Sequence, residues 1–167
     1  MNRVMVVGMH RSGTSSVARA LHESGVVYMG KHFIPPAKDN PQEFYEDRDF
    51  VAMNKKILKS AGGSWRMVPM HDHIMAAAKR LEAEMFDVIK AAHVNAMQAG
   101  ADAWGFKDPR TCLTWQAWQD IVSFNQVIRV SRDNDAVADS LMWRNGMDPI
   151  EAYNLIDIYN ARLNGLQ

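Results

Sequence analysis

The stretch GMHRSGTSS, residues 8–16, constrains the fold more than any other part of the chain. It follows the apolar run Val4-Met5-Val6-Val7 and precedes Val17-Ala18-Arg19-Ala20-Leu21. A short run that is apolar on both faces and rich in β-branched residues predicts a buried strand. The segment after it has helical periodicity, with Ser15 or Ser16 as the expected cap and Gly25 as the stop. A strand that turns through glycines into a helix aims backbone N–H groups at one point and makes an anion site. Gly8 and Gly13 keep the P-loop spacing G-x-x-x-x-G-K-[ST], yet Thr14 stands where that motif has lysine. The plainer reading is a strand-to-helix turn that simply needs glycine.

The rest of the chain alternates strand and helix signals. Val26–Met29 is a second strand candidate, and residues 30–39 form a loop because Pro35-Pro36 excludes helix and central strand. Asn40-Pro41-Gln42-Glu43 has capping-box form, so a helix starts there or near Asp47 and ends at Gly62-Gly63. Its apolar stripe is Phe50, Met53, Ile57 and Ala61. One long helix is expected from His71 to Ala99. Strand signals return at Ala103–Phe106 and Gln126–Ser131, and helices at Leu113–Ile121 and Asn134–Arg144. Asp148-Pro149-Ile150-Glu151 opens a last helix.

Such alternation predicts an α/β fold: one domain over residues 1–167, three-layer α/β/α around a central parallel sheet. Ligands of such sheets sit beyond the carboxyl ends of the strands. Three charged loops belong there: GMHRSGTSS, KDPR at 107–110 and SRDND at 131–135.

Composition narrows the partners. Formal net charge is zero, which argues against a generic nucleic-acid binder. The single cysteine, Cys112, excludes an internal disulfide and a multi-cysteine metal site. Only four apolar residues separate Arg3 from Gly8, too few for a signal-peptide core, and no stretch approaches the roughly 20 apolar residues of a membrane span. The expectation is a cytoplasmic protein with no membrane span.

Within the loop, Ser12, Thr14, Ser15 and Ser16 offer hydroxyl donors and Arg11 a cationic fork. Arg132 follows the last strand and Ser140 lies about two turns into the next helix. The plainer reading of that pair is a surface arginine matched to Asp133 or Asp135 and a solvated serine. Lys107 and Arg110 flank Asp108-Pro109, which is at its simplest a solvated turn. His10 and His32 are isolated histidines, and His71-Asp72-His73, lacking a further ligand nearby, suggests a loop leading into a helix.

Three segments together resemble the sulfotransferases that use 3′-phosphoadenosine-5′-phosphosulfate. VMVVGMHRSGTSSVARAL is similar to the family's 5′-phosphosulfate loop. VIRVSRDNDAVADSL is similar to its 3′-phosphate segment, with Arg132 and Ser140 eight positions apart. NPQEFYED with GFKDPR resembles bacterial and carbohydrate-type members. The resemblance implies a P-loop nucleoside-kinase-like fold. It implies that Arg11, Ser12, Gly13, Thr14, Ser15 and Ser16 hold the phosphosulfate, and that Arg132 and Ser140 hold the 3′-phosphate. It makes Glu46 the general base, with Glu43 as rival, and adenosine 3′,5′-bisphosphate the product. Arg11 and then Lys107 would stabilise charge on the leaving group, with no metal required. The acceptor is a hydroxyl or amine of a small molecule or carbohydrate. Family members usually continue past the helix matching Pro149–Leu163 into another strand, whereas this sequence runs to Gln167. Two rival readings follow: a P-loop small-molecule kinase, weakened by Thr14 and with only Asp108 as a magnesium candidate, and a catalytically silent nucleotide-binding module.

Overall fold

The computed structural model describes residues 1–36 and 44–166, in which seven helices accompany a sheet of three parallel strands. β1 (Asn2–Val7) is central, between β2 (Ala103–Lys107) and β3 (Gln126–Arg129). The central place explains why Val4 to Val7 are apolar on both faces, for all four are buried. Strand alternation divides the side chains between two cores. Val4, Val6 and Ala103 join Ala18, Val17 and Leu21 of α1 (Thr14–Glu23). Met5, Val7, Trp104 and Phe106 join the larger core, built with α2 (Arg48–Ser60), α3 (His71–Arg80), α4 (Glu82–Gln98), α5 (Thr111–Ile121), α6 (Asn134–Asn145) and α7 (Pro149–Leu163). No helix among the described residues is long and apolar enough to cross a membrane.

The parallel registers align the strand ends. Val6 pairs with Lys107, Val7 pairs with Arg129, and the Val130 N–H donates to the Val7 carbonyl at 2.8 Å. The three charged loops therefore leave the sheet on one edge.

Several boundaries differ from expectation: β3 ends at Arg129, two residues early, and α5 starts at Thr111, two residues early. The strand candidate Val26–Met29 shrinks to one bridge, Tyr28 to Trp104. Its neighbours are engaged elsewhere: the Val27 N–H bonds the Leu21 carbonyl, and the Met29 N–H bonds His22 Nδ1. The helix expected over 71–99 breaks at Leu81, whose backbone leaves helical geometry (φ −102°, ψ 8°) while its side chain stays buried. α1 starts at Thr14, not at a serine cap, because Gly13 makes the turn at φ 93° with no side-chain cap. His71-Asp72-His73 forms the first turn of α3 instead of a loop. Of the two possible starts for α2, Asp47 caps it, accepting from the Asp49 N–H at 3.0 Å. The box Asn40–Glu43, and with it Glu43 as rival base, lies outside the described residues.

Candidate functional site

At the shared edge of the strands a pocket of about 210 Å³ opens over the first turn of α1. Its walls come from the loop (His10, Arg11, Gly13 to Ser16), from Glu46, from Lys107 and Pro109, and from Arg132. Arg11, Arg19, Lys107 and Arg132 bring positive charge, and Glu46 is the one carboxylate that faces them among the described lining residues.

The loop keeps its shape by close backbone packing. A Cβ on Gly8 would meet the Val130 carbonyl oxygen and Thr14 Cγ2, each at 2.6 Å. Ser12 donates to the Met9 carbonyl from both its N–H (3.2 Å) and its hydroxyl (2.7 Å). Its hydroxyl is thus spent on the loop itself, while Thr14, Ser15 and Ser16 line the pocket. Arg11 sits in the left-handed region at φ 71°, a conformation costing on the order of 1–3 kcal/mol in a residue with a side chain. Two contacts from the far segment hold it there. Arg11 Nε donates to Ser140 Oγ at 2.8 Å, and Arg132 Nη1 donates to the Arg11 carbonyl at 3.2 Å. Neither carboxylate offered for Arg132 takes that role: Asp133 caps α6 and Asp135 accepts from the Tyr153 hydroxyl.

Lys107 arrives from β2. Strand alternation puts it on the same face as Ala103, toward α1. There its ammonium donates to Ser15 Oγ at 3.0 Å and to Glu46 Oε1 at 2.7 Å. Lys107 is 1 % exposed and Glu46 8 %. Burial pushes the Lys107 pKa down, and the Glu46 charge partly offsets it. Burial pushes the Glu46 carboxyl up, against the pull of Lys107. Glu46 is fixed through its backbone, since its carbonyl accepts from the Ile34 N–H at 2.9 Å beside the Phe33–Asp47 bridge.

A polar network lies behind these groups. Asn54 is fully buried; its amide donates to Asp108 Oδ2 (2.9 Å) and Thr111 Oγ1 (3.0 Å). Its carbonyl oxygen accepts from Thr114 Oγ1 (2.7 Å) and Trp118 Nε1 (2.9 Å). Asp108 Oδ1 takes Arg110 Nη1 at 2.7 Å, and that guanidinium lies 3.9 Å from Glu46 Oε2. The KDPR turn is therefore no solvated turn. Its lysine and arginine both face Glu46. His10 packs against Trp65 (ring centroids 4.4 Å apart), and its Nε2 is buried without a hydrogen-bond partner among the described residues. Burial, then the charges of Arg110, Lys107 and Arg11, hold its pKa well below the ordinary value, so the ring is neutral at pH 7. His32 is exposed and outside the pocket lining. Cys112 is buried with its thiol pushed up to about 12, which removes it as a nucleophile near neutral pH.

No family model, curated protein or solved structure matches the chain.

Arg11 to Ser16, Glu46, Lys107, Arg132 and Ser140 thus belong to one cluster, whereas His32 and His71-Asp72-His73 stand apart from it. Asn54 escaped notice. Its signal is position: four residues after Phe50 and three before Ile57, it is a polar residue on the apolar stripe of α2.

Proposed function

We propose that the pocket binds 3′-phosphoadenosine-5′-phosphosulfate and transfers its sulfuryl group to a hydroxyl or amine. On this reading the chain is a P-loop-like three-layer domain that works in the cytoplasm. The observation that carries it is Lys107, whose ammonium lies between Ser15 and Glu46. The cation missing from position 14 is supplied from the neighbouring strand, next to a carboxylate that can take a proton.

The loop N–H groups, Thr14, Ser15, Ser16 and Arg11 would hold the phosphosulfate, and Arg132 and Ser140 the 3′-phosphate. In transfer the acceptor oxygen or nitrogen forms a bond to sulfur while the bond from sulfur to the bridging oxygen breaks. The acceptor proton passes to Glu46, whose raised pKa makes it a stronger base than a solvated carboxylate. The electron pair left on the bridging oxygen is stabilised by Arg11 and Lys107. The kinase alternative loses support from Asp108, whose two oxygens already accept from Arg110 and Asn54.

The test is transfer from labelled donor to a panel of alcohols, amines and sugars, in wild type and Glu46→Gln. A glutamine still accepts from Lys107, so bisphosphate affinity should hold while turnover falls by about 10²- to 10⁴-fold. Unchanged turnover removes Glu46 as the base. Bisphosphate binding with no transfer to any acceptor favours the silent module.

A further inference from the structure

A second cavity, of about 320 Å³, lies beyond Arg110, between the C-terminal half of α2 and the turn after it. Leu58 and Trp65 form its apolar wall, and Lys55, Lys59, Ser64 and Arg110 its polar parts. Lys55 and Lys59 are one helical turn apart and both exposed. Among the described residues no carboxylate pairs with either, whereas Lys56 between them is matched to Glu84. Arg110, though bonded to Asp108 through Nη1, has a buried Nε with no acceptor among the described residues. A buried donor without a partner is costly and calls for an explanation.

The turn that presents Trp65 is firmly held. The Ser64 N–H bonds the Met67 carbonyl at 2.9 Å, and Ser64 Oγ accepts from the Met67 N–H at 3.1 Å. The Tyr159 hydroxyl donates to the Trp65 carbonyl at 3.0 Å, and Arg66 pairs with Glu151. Two contacts join this cavity to the loop pocket: Arg110 to Glu46, and Trp65 to His10.

We propose that this groove binds a ring-bearing anion, its ring against Trp65 and its acidic group among Lys55, Lys59 and Arg110. An indole beside an aliphatic wall suits the flat face of a sugar or aromatic ring, and two lysines that no described carboxylate pairs, beside an arginine held on its other side by Asp108, suit a carboxylate, sulfate or phosphate on that ring. Placed one side chain from Glu46, the groove anchors the acceptor. That last assignment rests on the transferase reading; binding in the groove does not.

The experiment follows the Trp65 indole N–H signal by NMR, assigned through Trp65→Phe, as the full chain is titrated. The probes are methyl glucuronide, methyl glucoside and benzoate. Expected is a saturable shift with methyl glucuronide or benzoate and none with the neutral glucoside. Whichever acid binds tighter distinguishes an acidic sugar from an aryl acid. Lys55→Ala/Lys59→Ala should weaken the binding about 2- to 30-fold, the range for two exposed ionic contacts. An unmoved Trp65 signal with both acids overturns the proposal, as does equal affinity for glucuronide and glucoside or an acid affinity unchanged in the double variant. A parallel titration with adenosine 3′,5′-bisphosphate separates the two readings. If the bisphosphate fails to bind while the acid still moves Trp65, the transferase reading falls and the groove stands.

Discussion

Replacing Lys107 by methionine isolates the interaction on which the site is built. The variant keeps an unbranched apolar stem and removes the ammonium that lies 2.7 Å from Glu46. At an effective dielectric constant near 20, attraction over that distance is about 6 kcal/mol before desolvation is subtracted. Removing one partner of a buried pair typically costs about 3–5 kcal/mol, because the other charge is left uncompensated. Arg110 remains 3.9 Å from the Glu46 carboxylate, so the lower end applies. A loss of about 3 kcal/mol corresponds to a fall in Tm of about 6–12 °C for a domain of this size. The variant should also respond to pH. Without Lys107 the main force that lowers the Glu46 pKa is gone, and the folded-state value rises further above 4.5. A raised carboxyl pKa means that the folded state holds the proton more tightly, and stability falls as pH rises through the folded value. The gap between wild type and Lys107→Met should therefore be smallest near pH 5 and widen toward pH 7. Adding Glu46→Gln to Lys107→Met should recover part of the loss. Urea denaturation at several pH values measures wild type and both variants. A Lys107→Met protein within about 1 kcal/mol of wild type, with a gap independent of pH, would refute the buried pair, since surface pairs are worth at most that much.

His10→Gln should gain stability relative to wild type as pH falls below 6.5. The unfolded histidine binds a proton there and the folded one does not, which costs the wild type up to about 1.4 kcal/mol per pH unit; denaturant melts from pH 7 to 5 would show the two curves converging or crossing, and parallel curves would exclude it. Asn54→Leu leaves Asp108, Thr111, Thr114 and Trp118 without a shared partner, and unfolding should cost about 3 kcal/mol less or worse. Gly8→Ala places a methyl 2.6 Å from the Val130 carbonyl, and calorimetry should find about 1–3 kcal/mol of destabilisation together with weakened binding of adenosine 3′,5′-bisphosphate.

The sequence exposed the parts of the fold that local chemistry dictates. Val4 to Val7 and the Asp148 cap work over a few residues and lie where their patterns say, and Asp47 is one of the two helix starts that the sequence offered. The break at Leu81 has no glycine or proline to announce it; Leu81 sits in the core instead of continuing the turn, a decision of tertiary packing. Tyr28 likewise pairs with one residue because its neighbours are claimed by α1, which only the folded chain decides. At the site the residue types were readable and their partnerships were not. Arg11 and Ser140 meet across 129 positions, and Lys107 and Glu46 across 61, so no spacing rule connects them. The KDPR turn looked solvated because its charges resemble any polar turn, and Asn54, which holds Asp108, lies far upstream.

On the proposed function, the loop is shaped for a phosphosulfate nucleotide and not for a nucleoside triphosphate with metal. Thermal unfolding in the presence of adenosine 3′,5′-bisphosphate, ATP with magnesium, and ADP tests it most directly. A ligand at 100 times its dissociation constant adds about 2.7 kcal/mol, or about 5–11 °C in Tm. Expected are that shift with the bisphosphate, its loss in Arg132→Ala, and little response to ATP with magnesium. Stabilisation by ATP with magnesium alone would contradict it.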